Sequence, residues 1–185
     1  MSALPRLILL GRDGVINERT DVPLTSPDQW IPIPGSLEAI ARLNHAGIRV
    51  AVISNQPGLG EGTLDPDQIN RVHARLHAAL ARVGGHLDAI LFCPHAAGSG
   101  CSCRKPEPAL LRSVSLRLGI PLQTAQFIGD SAVDITAARA ARATPVLVRT
   151  GLGLETLSEY PDLASIPNYA DLADAVDTLL ESCPE

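Results

Sequence analysis

Aromatic side chains are scarce, at 3% of the residues, with Trp30 the single tryptophan. A core must therefore come from Leu, Ile, Val and Ala. No run of Lys or Arg stands out, and 15 basic against 20 acidic residues leave a net charge of −5. That balance argues against DNA, RNA or an anionic membrane surface as the main partner. No apolar run approaches membrane-spanning length, and the stretch from Met1 to Leu10 is too short and interrupted for a secretory leader. A cytoplasmic location is the expectation. The four cysteines are too unevenly placed for a disulfide framework: Cys93, Cys101 and Cys103 crowd together while Cys183 stands alone. What is present is ample for a folded core, since 45% of the 185 residues are apolar and 19% charged. One domain over residues 1–185 is expected.

Short apolar runs alternate with helical patterns. Strands are predicted at Leu7–Leu10, Ile48–Ile53, Leu87–Phe92, Gln126–Ile128 and Pro145–Val148. Helices are predicted over Ser36–Ala46, Pro66–Val83, Glu107–Leu118, Ala132–Arg142 and Tyr169–Leu180. The helix from Pro66 is the best marked. Asp65 is placed to cap it, Ile69, Val72, Leu76, Leu80 and Val83 share one face, and Gly84-Gly85 ends it. His73 and His77 also share a face of this helix and read as solvated surface. Continuously apolar strands alternating with helices imply an α/β fold with a central parallel sheet covered on both sides. In such sheets ligands lie beyond the carboxyl ends of the strands. The polar, glycine-rich segments 11–17, 54–62, 93–106 and 129–134 each follow a predicted strand.

The third of these segments holds Cys93, His95, Cys101 and Cys103. Three thiolates and one imidazole complete a tetrahedral zinc shell with no position left for water, so the expected zinc is structural. Such a site would order a loop that has no apolar core of its own. Arg104 and Lys105 emerge from it.

Gathering the strand ends brings Asp13, Ser54 with Asn55, Arg104 with Lys105, and Asp130 with Asp134 to one edge. Carboxylates there can hold a hard divalent cation, and a hydroxyl with a lysine can hold a phosphoryl group. Taken singly, each has a plainer reading as a turn residue, a helix cap or a surface charge. Their joint placement is what points to chemistry.

These segments resemble the four motifs of the haloacid dehalogenase superfamily. They are Arg12-Asp13-Gly14-Val15-Ile16-Asn17, Ser54-Asn55-Gln56, Cys103-Arg104-Lys105-Pro106, and Gly129-Asp130 followed by Asp134. The Cys-x-His…Cys-x-Cys loop is similar to that of the histidinol-phosphatase-like branch. The resemblance runs from Leu7 to about Gly151. It implies a Rossmann-like fold without a large cap domain, a short zinc loop, and hydrolysis of a phosphorylated sugar or other phosphate monoester by a monomer. By the same resemblance Asp13 is the acid and base. Ser54 and Asn55 handle the phosphoryl group and substrate, Lys105 neutralises phosphate charge, and Arg104 contacts substrate. Magnesium would be held at Asp13 (through its carbonyl) and Asp130, with Asp134 supporting.

The family pattern is Asp-x-Asp-Gly, and here Gly11 stands where the nucleophile belongs. Glycine supplies neither the attacking oxygen nor a magnesium ligand. Pro57 and Glu61 replace a serine and an arginine of the family pattern, and Glu61 reverses a charge beside an anionic substrate. Two expectations follow from this: a phosphatase scaffold that is slow or inactive, or a non-catalytic phosphosugar-binding or regulatory protein.

Overall fold

The computed structural model describes residues 4–182, so Cys183 lies outside the described residues. Six strands form one sheet: β1 (Leu7–Leu10), β2 (Arg49–Asn55), β3 (Ala89–Cys93), β4 (Ala125–Gly129), β5 (Thr144–Val148) and β6 (Asn168–Tyr169). Their order is β3-β2-β1-β4-β5-β6 and every pairing is parallel. Such a sheet needs a crossover between successive strands, which the helices supply. They are α1 (Ser36–His45), α2 (Gly58–Glu61), α3 (Pro66–Arg82), α4 (Ala109–Leu118), α5 (Ala132–Ala141), α6 (Gly153–Glu159) and α7 (Leu172–Glu181).

β1 explains why the apolar runs do not alternate with polar residues. It lies between β2 and β4, and its four residues are wholly buried. Successive side chains of a strand point to opposite faces, and here both faces are cores. Ile8 and Leu10 join Val50, Val52, Ile128 and Val148 under α1, α3 and α7. Leu7 and Leu9 join Ala51, Ile53 and Phe127 under α4 and α5. Cutting one of these side chains back to alanine costs about 2–5 kcal/mol, because the packed surroundings collapse only partly.

α3 forms as its caps dictate. Asp65 accepts from the Gln68 N–H at 2.7 Å, and the Gln68 amide oxygen accepts from the Asp65 N–H at 2.8 Å. This reciprocal pair satisfies two otherwise orphaned donors. One expected element is corrected by pairing across the sheet. Asn168 and Tyr169 bond alongside Leu147 and Val148 as β6, so the last helix begins at Leu172 with Asp171 as its cap. α6, seven residues long, carries too short an apolar pattern to mark a helix in the sequence. Between β2 and α3 the chain holds only the four-residue α2, which leaves the carboxyl edge without a large cap. No described helix is long and apolar enough to cross a membrane.

This strand order reverses direction beside β1, where doubly wound sheets open a crevice. Asp13 follows β1 and Asp130 follows β4, on the two sides of that crevice.

Candidate phosphoryl site and metal centre

A cleft of about 290 Å³ opens at this edge, and its lining includes Gly11, Asp13, Ser54, Asn55, Lys105 and Asp130. Asp134 lines it too, whereas Arg104 does not. All the residues expected there except Arg104 are thus brought together.

Asp13 is held by donors on three sides. Arg12 grips its carboxylate in a fork, Nε to Oδ1 at 3.0 Å and Nη2 to Oδ2 at 2.9 Å. Asn17 donates to Oδ1 at 2.9 Å and Gln56 to Oδ2 at 3.3 Å. Burial works to raise this carboxyl's pKa, but the Arg12 charge and these hydrogen bonds outweigh it and hold the group below the ordinary carboxylate range. Asp13 is therefore ionised.

Lys105 and Asp134 form a buried ion pair at 2.6 Å, with side chains 8% and 2% exposed. The ammonium also donates to the Ile53 carbonyl at 3.1 Å and lies 5.5 Å from the centre of the Phe127 ring. Asp134 Oδ2 accepts from Ser131 Oγ at 2.6 Å and the Asp130 N–H at 3.2 Å. Burial acts to raise the Asp134 pKa, and Lys105 more than offsets it, so the carboxylate stays ionised. Removing either partner would strand a buried charge at a cost of about 3–5 kcal/mol. With both oxygens engaged, Asp134 serves to fix Lys105.

Asp130 is the strand-end carboxylate left for a cation in a cleft that Asp21 and Glu61 also line. Its Oδ2 accepts from the Leu152 N–H at 3.0 Å and faces Arg19, 43% exposed, at 3.4 Å. Burial and the neighbouring Asp134 charge push its pKa up to about 6. Two glycines let backbone close around it. A Cβ on Gly14 or Gly151, both at positive φ, would lie 2.1 or 2.2 Å from Asp130 Oδ2. Magnesium commonly takes one or two carboxylates and keeps several waters, so Asp130 fits it.

The Asn55 side chain turns toward the loop. Its Oδ1 accepts from the Lys105 N–H at 3.0 Å, and its Nδ2 donates to the Lys105 carbonyl at 3.2 Å. Ser54 Oγ accepts from Gln56 Nε2 at 3.1 Å, a role for Gln56 that its neighbours in sequence did not signal.

The cysteine loop gathers as expected. The four ligand atoms of Cys93, His95, Cys101 and Cys103 lie within 4.8 Å of one another. His95 Nδ1 is 3.2 Å from Cys103 Sγ, and Cys93 Sγ is 3.3 and 3.5 Å from the sulfurs of Cys103 and Cys101. A tetrahedron with zinc–sulfur bonds of about 2.3 Å has edges of roughly 3.7 Å, so the donors fit zinc. Burial pushes the Cys93 thiol up to about 12, while a hydrogen bond from Ser99 foremost draws Cys101 down to about 6. This loop meets the cleft through Lys105 and through α2. Glu61 Oε1 accepts from the Ala97 N–H at 3.5 Å, and a Cβ on Gly60 would lie 2.4 Å from Ala96 N.

His73 corrects the sequence expectation. It is 9% exposed, while His77 lies on the surface as expected. Burial first, then the Arg12 charge, lower its pKa from 6.5 to about 4. Between those values the unfolded chain binds a proton that the native state refuses. Stability is intact above pH 6.5 and falls as the pH drops toward 4, by about 2–3 kcal/mol. Urea unfolding of wild type and His73→Gln from pH 7 to 4 checks this: the variant should show the shallower acid loss.

A family model for haloacid dehalogenase-like hydrolases matches residues 4–142. The D-glycero-beta-D-manno-heptose-1,7-bisphosphate 7-phosphatase of Pseudomonas aeruginosa is 45% identical over 176 residues, 95% of this chain and 98% of the relative. The protein of that name from Neisseria meningitidis is 38% identical over 176 residues, 95% of this chain and 91% of the relative. Among solved structures, D,D-heptose 1,7-bisphosphate phosphatase from B. bronchiseptica, complexed with magnesium and phosphate, superposes with a TM-score of 0.92 at 42% identity. That match covers 96% of this chain and 99% of the other. With motif, fold and cleft in agreement over this length, the chain belongs to the haloacid dehalogenase-like hydrolases.

Proposed function

We propose that this chain is a phosphatase scaffold for a heptose 1,7-bisphosphate of lipopolysaccharide biosynthesis, and that Gly11 makes its turnover slow. The observation that carries this reading is the convergence of Asp13, Ser54, Lys105 and Asp130 in one cleft whose nucleophile position has no side chain. The relatives' names give the sugar. Ser54 and Lys105 bind the phosphoryl oxygens, and Asp13, ionised by Arg12, takes a proton from water. Magnesium at Asp130, when bound, neutralises charge on the phosphoryl group. Zinc in the thiolate–imidazole shell holds the loop from which Lys105 projects.

Position 11 also allows a second reading. With Ser54 and Lys105 in the cleft but no side chain at the nucleophile position, the chain would bind a phosphosugar without hydrolysing it.

One pair of measurements tests both. Calorimetric titration with D-glycero-D-manno-heptose 1,7-bisphosphate and magnesium should show micromolar binding, and phosphate release by the same sample should be barely above background. A flat titration removes the phosphosugar site altogether. Brisk magnesium-dependent release with Gly11 in place overturns the account of the nucleophile.

A further inference from the structure

Beneath the cleft, Arg12 is almost wholly buried, and its guanidinium faces two partners. Nε and Nη2 fork onto Asp13, while Nη1 lies 3.3 Å from Nε2 of His73, sixty-one residues away on α3. The His73 ring is itself seated against Phe92 of β3, with centroids 5.7 Å apart and planes at 58°. A guanidinium can only donate. Nε2 must therefore be the acceptor, and the imidazole proton sits on Nδ1. Arg12 is thus fixed at two corners, one on the carboxylate and one on a ring wedged into the core.

We propose that His73 is a positioning residue for the phosphatase site, acting through Arg12 to hold the Asp13 carboxylate in place. This rests on the reading of Asp13 as the group that exchanges protons with water and substrate. Asp13 sits beside Arg12 in the chain, so the fork alone ties two neighbours on one loop and anchors neither to the body of the fold. Gln56 ties Asp13 Oδ2 to the end of β2 at 3.3 Å, and His73 supplies the anchor of Arg12, linking the loop after β1 to α3 and β3. An arginine side chain has many rotamers, and a carboxylate misplaced by about 1 Å costs on the order of 10²-fold in rate.

The test uses the whole chain and two readouts. In wild type, long-range proton–nitrogen spectra should show His73 with Nδ1 protonated and Nε2 bare, and the Arg12 Nε–H should exchange slowly. His73→Phe keeps a ring against Phe92 but no acceptor, and should speed that exchange about tenfold or more, since an unanchored hydrogen bond opens more often. His73→Gln, whose amide oxygen can accept from Arg12, should slow it again. In a Gly11→Asp background, His73→Phe should lower kcat by about 10²-fold with KM little changed, and His73→Gln should recover most of it. A protonated Nε2 in wild type, an unchanged Arg12 exchange in His73→Phe, or equal loss of kcat in both variants would each overturn the proposal. Should the Gly11→Asp parent release no phosphate, the phosphatase reading fails by itself, and the Arg12 exchange comparison still decides whether His73 positions this arginine.

Discussion

Gly11→Asp is expected to raise magnesium-dependent phosphate release by about 10⁵–10⁶-fold, the scale on which removing a nucleophile lowers turnover. Asp13, ionised at rest, would first take a proton from solvent; the introduced carboxylate oxygen would then bond to phosphorus as the phosphorus–sugar oxygen bond breaks, and the leaving oxygen would take that proton. Water would then displace the carboxylate from phosphorus and return its proton to Asp13. The fold should tolerate the change. Gly11 lies outside the left-handed region that favours glycine and donates its N–H to the Ile128 carbonyl at 2.9 Å. A Cβ there meets Val15 Cγ2 at 2.9 Å, so that methyl has to turn aside. Valine is stiff at χ1, but an off-rotamer side chain costs only about 0.5–1.5 kcal/mol. Six orders of magnitude in rate correspond to about 8 kcal/mol, so the chemical gain dominates. Gly11→Ala imposes the same crowding without the carboxylate and should gain nothing. A gain below about tenfold for the aspartate variant, against the range expected for a restored nucleophile, would favour the phosphosugar-sensing reading.

Loss of zinc is the second large effect. The purified chain should carry one zinc per molecule, and removing it, or replacing Cys93 by Ser, should cost at least about 5 kcal/mol. Structural zinc contributes about 10–16 kcal/mol of apparent binding energy in small zinc-folded peptides, and only part of that is coupled to folding here, because the sheet is stable on other grounds. For a chain of this size the loss corresponds to a fall in Tm of about 10–20 °C. Phosphate affinity should fall with it, since Lys105 is carried two residues beyond the last thiolate and Gly60 of α2 packs against the same loop. Metal analysis and thermal unfolding with and without chelator provide the check. A metal-free chain with an unchanged Tm would remove the structural zinc from the account.

Much of this was legible in the amino-acid order because the signals were local. The unbroken aliphatic run of β1 announces a strand buried on both faces, and Asp65, Pro66 and Gln68 announce the start of α3 within four residues. The thiolates and His95 lie close enough in sequence to imply their own geometry. The illegible parts depend on pairing at a distance. β6 is two residues long and exists only because β5 offers it an edge. His73 looks like any histidine on a helix until Arg12 is brought beneath it. Arg104 carries a motif residue's name, yet the turn of the loop keeps it out of the cleft lining. Arg19 lies in a Pro-rich stretch with no period, and only the folded loop brings it to Asp130.

The bare positions at 14 and 151 carry a consequence for substitution. Any larger residue at either would strike the Asp130 carboxylate, so neither loop can gain a side chain unless that carboxylate swings away and gives up its bond to the Leu152 N–H.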